Sequence, residues 1–239
     1  AKEVDKQGNL CIHSLCEKNV PNAKLIMMLA DIYPEGLAIK DRDGNLPIHS
    51  AIERGDKMPV EVISKLLNGF PGATKKHDKD KNLPLHCAFH CLQSHLVEVA
   101  SLLVSVDGES VAEPSKQLGL LLHWACSNLK PVELIRAMVQ ANPAAVGMKD
   151  KGGNTVLHIA CELGDRCPAG VIEVLARAYP ECVKIKDKDG NTPLHSAAEC
   201  CDKTTEEVVG LLLELDTENF AAKEVDKQGN LCIHSLCEK

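Results

Sequence analysis

The sequence predicts an all-α repeat solenoid: stacked helix-turn-helix layers with short β-hairpin tips. Three observations predict it. A Gly-Asn-x-x-Leu/Ile-His pattern recurs along the chain and sets its histidines at His13, His49, His86, His123, His158, His195 and His234. Apolar residues follow each marker at helical spacing, between prolines. Hydrophobic residues reach 44% while aromatics make up only 3%, so packing relies on Leu, Ile, Val and Ala in thin layers.

Each layer opens with turn chemistry. Asp187-Lys188-Asp189-Gly190 and its counterparts combine an Asp that bonds back to the backbone with a Gly that supplies positive φ, which makes a projecting hairpin. The first helix follows, with Pro47, Pro84 or Pro193 in its first turn, where a missing N–H costs nothing. Two residues after the histidine stands a small residue, as at Ala51, Ala88, Ala125, Ala160 and Ala197, which lets neighbouring helices approach. A second helix opens near Pro21, Pro59, Pro131 or Pro168. It carries runs such as Val62, Ile63, Leu66 and Leu67, and stops at Tyr33-Pro34, Phe70-Pro71, Asn142-Pro143 or Tyr179-Pro180. One layer departs: Ser115-Lys116-Gln117-Leu118-Gly119-Leu120 lacks the Gly-Asn-x-Pro element, so the helices are expected to persist beside an irregular tip.

The segment Asn191-Thr192-Pro193-Leu194-His195-Ser196-Ala197, with Ile48-His49-Ser50-Ala51 and Leu157-His158-Ile159-Ala160, resembles the Thr-Pro-Leu-His-x-Ala signature of ankyrin repeats. The marker spacings of 36, 37, 37, 35, 37 and 39 residues make this a long-period variant. The resemblance implies one solenoid of about six repeats over residues 1–239, plus a partial repeat at His234. It also implies that the seven marker histidines are structural and hydrogen-bond neighbouring loop backbone, with Thr155 and Thr192 assisting.

A longer period overlies the short one. Residues 222–239 repeat residues 1–18, AKEVDKQGNLCIHSLCEK, without a difference, at an offset of 221. The simplest account is a tandem array whose unit is six repeats, advancing roughly 60 Å per unit at about 10 Å per layer. Leu10, Ile12 and Leu15 are expected to need a preceding layer to cover them.

Composition narrows the functions. A net charge of −7 argues against a nucleic-acid partner. No stretch approaches the roughly 18 apolar residues of a membrane span, so no membrane insertion is expected. Twelve cysteines without paired CxxC spacing read as reduced, buried thiols, which favours the cytoplasm; an extracellular, disulfide-linked filament is the alternative, should a leader precede Ala1. No nucleophile motif, phosphate loop or carboxylate pair appears, so no enzyme and no cofactor are expected. The best metal candidates are Cys87, His90, Cys91 and His95, because His86 and His90, or Cys87 and Cys91, share a helix face. Four ligands on one short helix cannot surround a metal without help from another layer, so no metal is assigned. Asp-Lys-Asp-Gly tips lack the further oxygen ligands of a calcium loop and read as turns. The expected function is a structural scaffold, a segment of a filament or spring whose partners are further copies of itself or of its own array. The alternative is an adaptor that binds a protein on the concave face of tips and first helices.

Overall fold

The computed structural model describes residues 4–5, 9–200, 205–218 and 220–232. His234, Cys201 and Cys237 lie outside them. The chain forms two compact units, Ala1–Leu118 and Gly119–Lys239, which divide inside the irregular tip. Each unit is a stack of helical layers.

Unit one contains α1 (Cys11–Cys16), α2 (Ala23–Ile32), α3 (Pro47–Glu53), α4 (Val60–Gly69), α5 (Pro84–Cys91) and α6 (Leu96–Val106). The first helices pack in sequence, α1 on α3 and α3 on α5, while the second helices form a parallel row, α2 on α4 and α4 on α6. Unit two repeats the plan with α7 (Leu121–Ser127), α8 (Val132–Ala141), α9 (Val156–Glu162), α10 (Ala169–Ala178), α11 (Pro193–Cys200), α12 (Thr205–Leu215) and the short α13 (Phe220–Lys223). There α9 packs on α7 and α11, and α10 on α8 and α12. The architecture is therefore the all-α repeat solenoid.

The local chemistry accounts for these boundaries. Pro47 and Pro84 occupy the first position of α3 and α5. The second helices stop at Tyr33, Phe70, Asn142 and Tyr179, whose extended φ near −140° leads into a 3₁₀ turn beginning at the following proline. The core lies between the rows: Ala51, Ala88, Ala125 and Ala160 are wholly buried, and Val62, Ile63, Leu134 and Leu175 are fully buried beneath them.

The tips are tight turns and not extended strands. Asp41 N–H donates to Asn45 O at 2.9 Å while Asp41 Oδ1 accepts from Asn45 N–H at 2.8 Å. The same pair recurs at Asp78–Asn82, Asp150–Asn154, Asp187–Asn191 and Asp226–Asn230. Among the described residues the ladder is reduced to two isolated bridges, Val4 to Leu10 and Val225 to Leu231. Gly44 (φ +76°) and Gly153 (φ +87°) need glycine twice over. Besides the left-handed backbone, a Cβ there would stand 2.9 Å and 2.8 Å from the backbone nitrogens of Lys79 and Lys188 in the next tip.

One expectation fails. Leu10, Ile12 and Leu15 are already buried, at 1%, 5% and 6% exposure, because the first-helix face turns toward its own second helix and the following layer. The exposed apolar residues of this layer lie on α2 and before it: Val20, Leu25, Met28 and Ile32.

Candidate functional site

The described marker histidines share one local geometry in both units. In each regular layer, ring Nδ1 accepts the backbone N–H three residues earlier, from Leu10, Leu46, Leu83, Thr155 or Thr192, at 3.0–3.2 Å. That fixes the neutral tautomer with Nε2–H outward. Nε2 then donates to the backbone of the next layer: His86 to Glu113 O at 2.9 Å, His158 to Asn191 O at 3.0 Å and His195 to Asn230 O at 3.4 Å. Thr155 and Thr192 add hydroxyl contacts to the same Nδ1 at 2.8 and 2.9 Å. In His13 and His49, Nε2 is buried outside hydrogen-bond geometry. Desolvation pushes His13, His86, His123 and His158 below the ordinary imidazole range and takes His49 down to about 4. The rings of His86, His123, His158 and His195 join layers.

Each unit carries acids beside its marker histidines. Four residues after the marker stand Glu17 and Glu53 in unit one and Glu162 and Glu199 in unit two, all exposed. The turn aspartates face them. Desolvation, then the charge of Asp41, raises the Glu17 carboxyl. Glu53 is raised by desolvation, then by Asp78 and Asp41; Glu162 by desolvation, then by Asp187 and Asp150. Like charges crowded along one face hold protons more tightly than isolated carboxylates and attract cationic groups.

The four metal candidates do not act as one set. Cys87 is buried, Cys91 half-buried and His90 exposed on α5, and all three line one cleft of about 240 Å³. His95 sits at the N-cap of α6, away from that lining. The cleft also takes in Glu53 and Asp78, which the sequence reading misses. The signal was present: Glu53 stands four residues after its marker in the preceding layer, one repeat before His90. Cys16, Cys126 and Cys161, three residues after their markers, are buried as packing positions, and burial pushes the Cys16 thiol up to about 12. Among the described residues no helix is long and apolar enough to cross a membrane.

Comparison with known proteins places these layers. Residues 122–234 match the family of ankyrin repeats, in three copies. No curated protein matches the chain by sequence. Of the solved structures, the ankyrin repeat domain of Bcl-3, a member of the IkappaB protein family, is similar at TM-score 0.67 and 16% identity, over 96% of this chain and 95% of that one. The ankyrin repeat protein EF0377 is similar at TM-score 0.64 and 14% identity, over 88% of this chain and 99% of that one. A chain in the complex of the predatory endopeptidase Bd0816 from Bdellovibrio bacteriovorus with the immunity protein Bd3460 gives TM-score 0.58 and 16% identity, over 89% and 99%. At these identities the likeness is one of fold.

Proposed function

We propose that this chain, whose residues 122–234 match ankyrin repeats, a fold that generally mediates protein–protein interaction, is a non-enzymatic scaffold which takes a basic protein segment along the tips and first helices of unit one. In unit one, the exposed Glu17 and Glu53 at the ends of the first helices, with Asp41 and Asp78 in the turns, carry this reading, since desolvation and then the charge of these aspartates raise both carboxyls. A row of lysines or arginines would relieve that repulsion, most strongly at low salt. The test is a fluorescence titration with a Lys/Arg-rich peptide. Salt-sensitive binding, weakened tenfold or more by the double variant Glu17→Lys, Glu53→Lys, is expected. Binding that ignores those substitutions would defeat the proposal.

A second reading, the tandem array, is favoured by the duplicated 18 residues. Both copies make the same backbone bond: Asp5 N–H to Asn9 O and Asp226 N–H to Asn230 O, each at 3.0 Å. The exposed Leu25, Met28 and Ile32 of α2 offer an apolar face of the kind that adjacent layers bury. The mass of the protein from its native source under denaturing conditions decides. Several hundred kDa supports a filament or spring; a mass near 25.9 kDa removes it.

A further inference from the structure

The cleft on α5 brings soft and hard metal donors together from two layers. Carboxylate oxygens of Glu53 and Asp78 and the sulfur of Cys87 all lie within 4.8 Å of one another. Cys87 Sγ is 3.9 Å from Asp78 Oδ2. Around a tetrahedral ion with M–S near 2.3 Å and M–O near 2.0–2.2 Å, a sulfur and an oxygen ligand stand roughly 3.5 Å apart, so the set needs only a small closure. Cys91, one helical turn beyond Cys87, lines the same cleft.

Two further observations separate this cluster from a patch of surface acids. The first is that Cys87 is only 6% exposed, with its thiol turned into the cleft against Asp78. The second lies in the layer sequence. Where α5 has Cys87, other layers have Ser14, Ser50, Trp124, Ile159 and Ser196. Where it has Cys91, they have Lys18, Arg54, Asn128, Leu163 and Cys200. In this layer alone both positions carry thiols, and here the next tip is the irregular one, with Ser115, Gln117 and Leu118 walling the cleft.

Glu53, Asp78 and Asp80 crowd acidic charge into the cleft. Desolvation, then the charges of Asp78 and Glu53, pushes the Cys87 thiol well up, and Glu53 is itself raised. The cation nearest in sequence, Arg54, is turned to the Glu17 carbonyl at 2.7 Å. Asp78 is held in place by the Asn82 amide, which donates to Oδ2 at 3.3 Å.

We infer that Glu53, Asp78 and Cys87, with Cys91 as fourth donor, form a binding site for a thiophilic divalent cation of the zinc class. Two thiolates select against magnesium and calcium, and the two carboxylates complete a four-coordinate set. On binding, the S–H bonds of Cys87 and Cys91 break, both protons pass to water, and two metal–sulfur bonds form; no electron is transferred. The ion would staple the layer of α3 to the layer of α5 beside the irregular tip. The site shares Glu53 and Asp78 with the acidic face of the partner reading, but its test needs no peptide.

The test is titration of the reduced full chain with Co²⁺, whose thiolate complexes absorb in the near ultraviolet. One equivalent with a thiolate-to-metal charge-transfer band is expected. The band should lose at least half its intensity in Cys87→Ser and be unchanged in Cys182→Ser. Affinity should fall at least tenfold in Asp78→Asn and in Glu53→Gln. Serine already occupies the Cys87 position in three other layers, so that variant should fold. If it does not, Glu53→Gln, at the exposed rim, decides alone. No saturable band, a band undiminished in Cys87→Ser, or undiminished affinity in Glu53→Gln would overturn the site.

Discussion

The tip Asp150–Asn154 and the segment Ser115–Leu120 occupy the same place in successive layers and solve it differently. In the first, Asp150 Oδ1 gathers the N–H groups of Gly152 and Asn154 at 2.8 and 2.9 Å, and the turn delivers Thr155 N–H to His158 Nδ1 at 3.2 Å. In the second, the Ser115 hydroxyl takes the aspartate's part with longer contacts, 3.3 Å to Gln117 N and 3.4 Å to Leu118 N. The ring of His123 loses its local donor, and its Nδ1 is buried without a partner. Yet α7 forms at full length, and His123 Nε2 still meets Asn154 O at 3.1 Å. The bond to the following layer holds the ring; the tip only refines it.

Acidification should test both regions at once and give the largest effect. The marker imidazoles have folded pKa values below the ordinary 6.5, so the unfolded chain binds more protons between the two values. Their stabilisation is complete above about pH 6.5 and is lost as pH falls toward the folded value. For His49, at about 4, the loss by pH 5 is on the order of 2 kcal/mol. Glu17, Glu53 and Glu162 work the other way, because their raised carboxyls favour the folded state as they protonate, and they offset part of the loss. A melting temperature that falls clearly from pH 7 to pH 5 is expected; an unchanged one would remove the histidines' role.

Urea unfolding of single variants sharpens the contrast. His158→Ala leaves Thr155 N–H and Asn191 C=O without their ring partner, each buried loss costing about 1–3 kcal/mol. His123→Ala strands only Asn154 C=O and should cost about half as much. Equal losses would mean that packing, and not the hydrogen bonds, sets the value of the ring. The tips themselves should give the smallest effect. Asp150→Ala removes two short side-chain bonds and is expected to cost about 1–2 kcal/mol, while Ser115→Ala should fall within ~0.5 kcal/mol of the parent.

The histidine markers, the prolines and the turn glycines were legible because each answers a backbone need: a ring bond, a fixed φ, a positive φ. His195, Pro84 and Gly44 could be assigned from spacing alone. The neighbours of Cys87 could not be, since Asp78 and Glu53 lie nine and 34 residues earlier and meet it only when adjacent layers stack. The covering of Leu10, Ile12 and Leu15 was misjudged for a related reason. Periodicity identifies an apolar face but not which of two flanking layers it meets.

The lysines at the tip bases have a mechanical consequence. Lys40 Nζ reaches His77 O at 2.5 Å in unit one, and Lys149 Nζ reaches Lys186 O at 2.6 Å in unit two, each bond spanning 37 residues of sequence. Pulling on the ends would therefore meet a series of like latches, each guarding the same slack. Opening one and drawing out its layer would pay out at most about 120–130 Å of chain, so a force trace should show near-equal steps of that length.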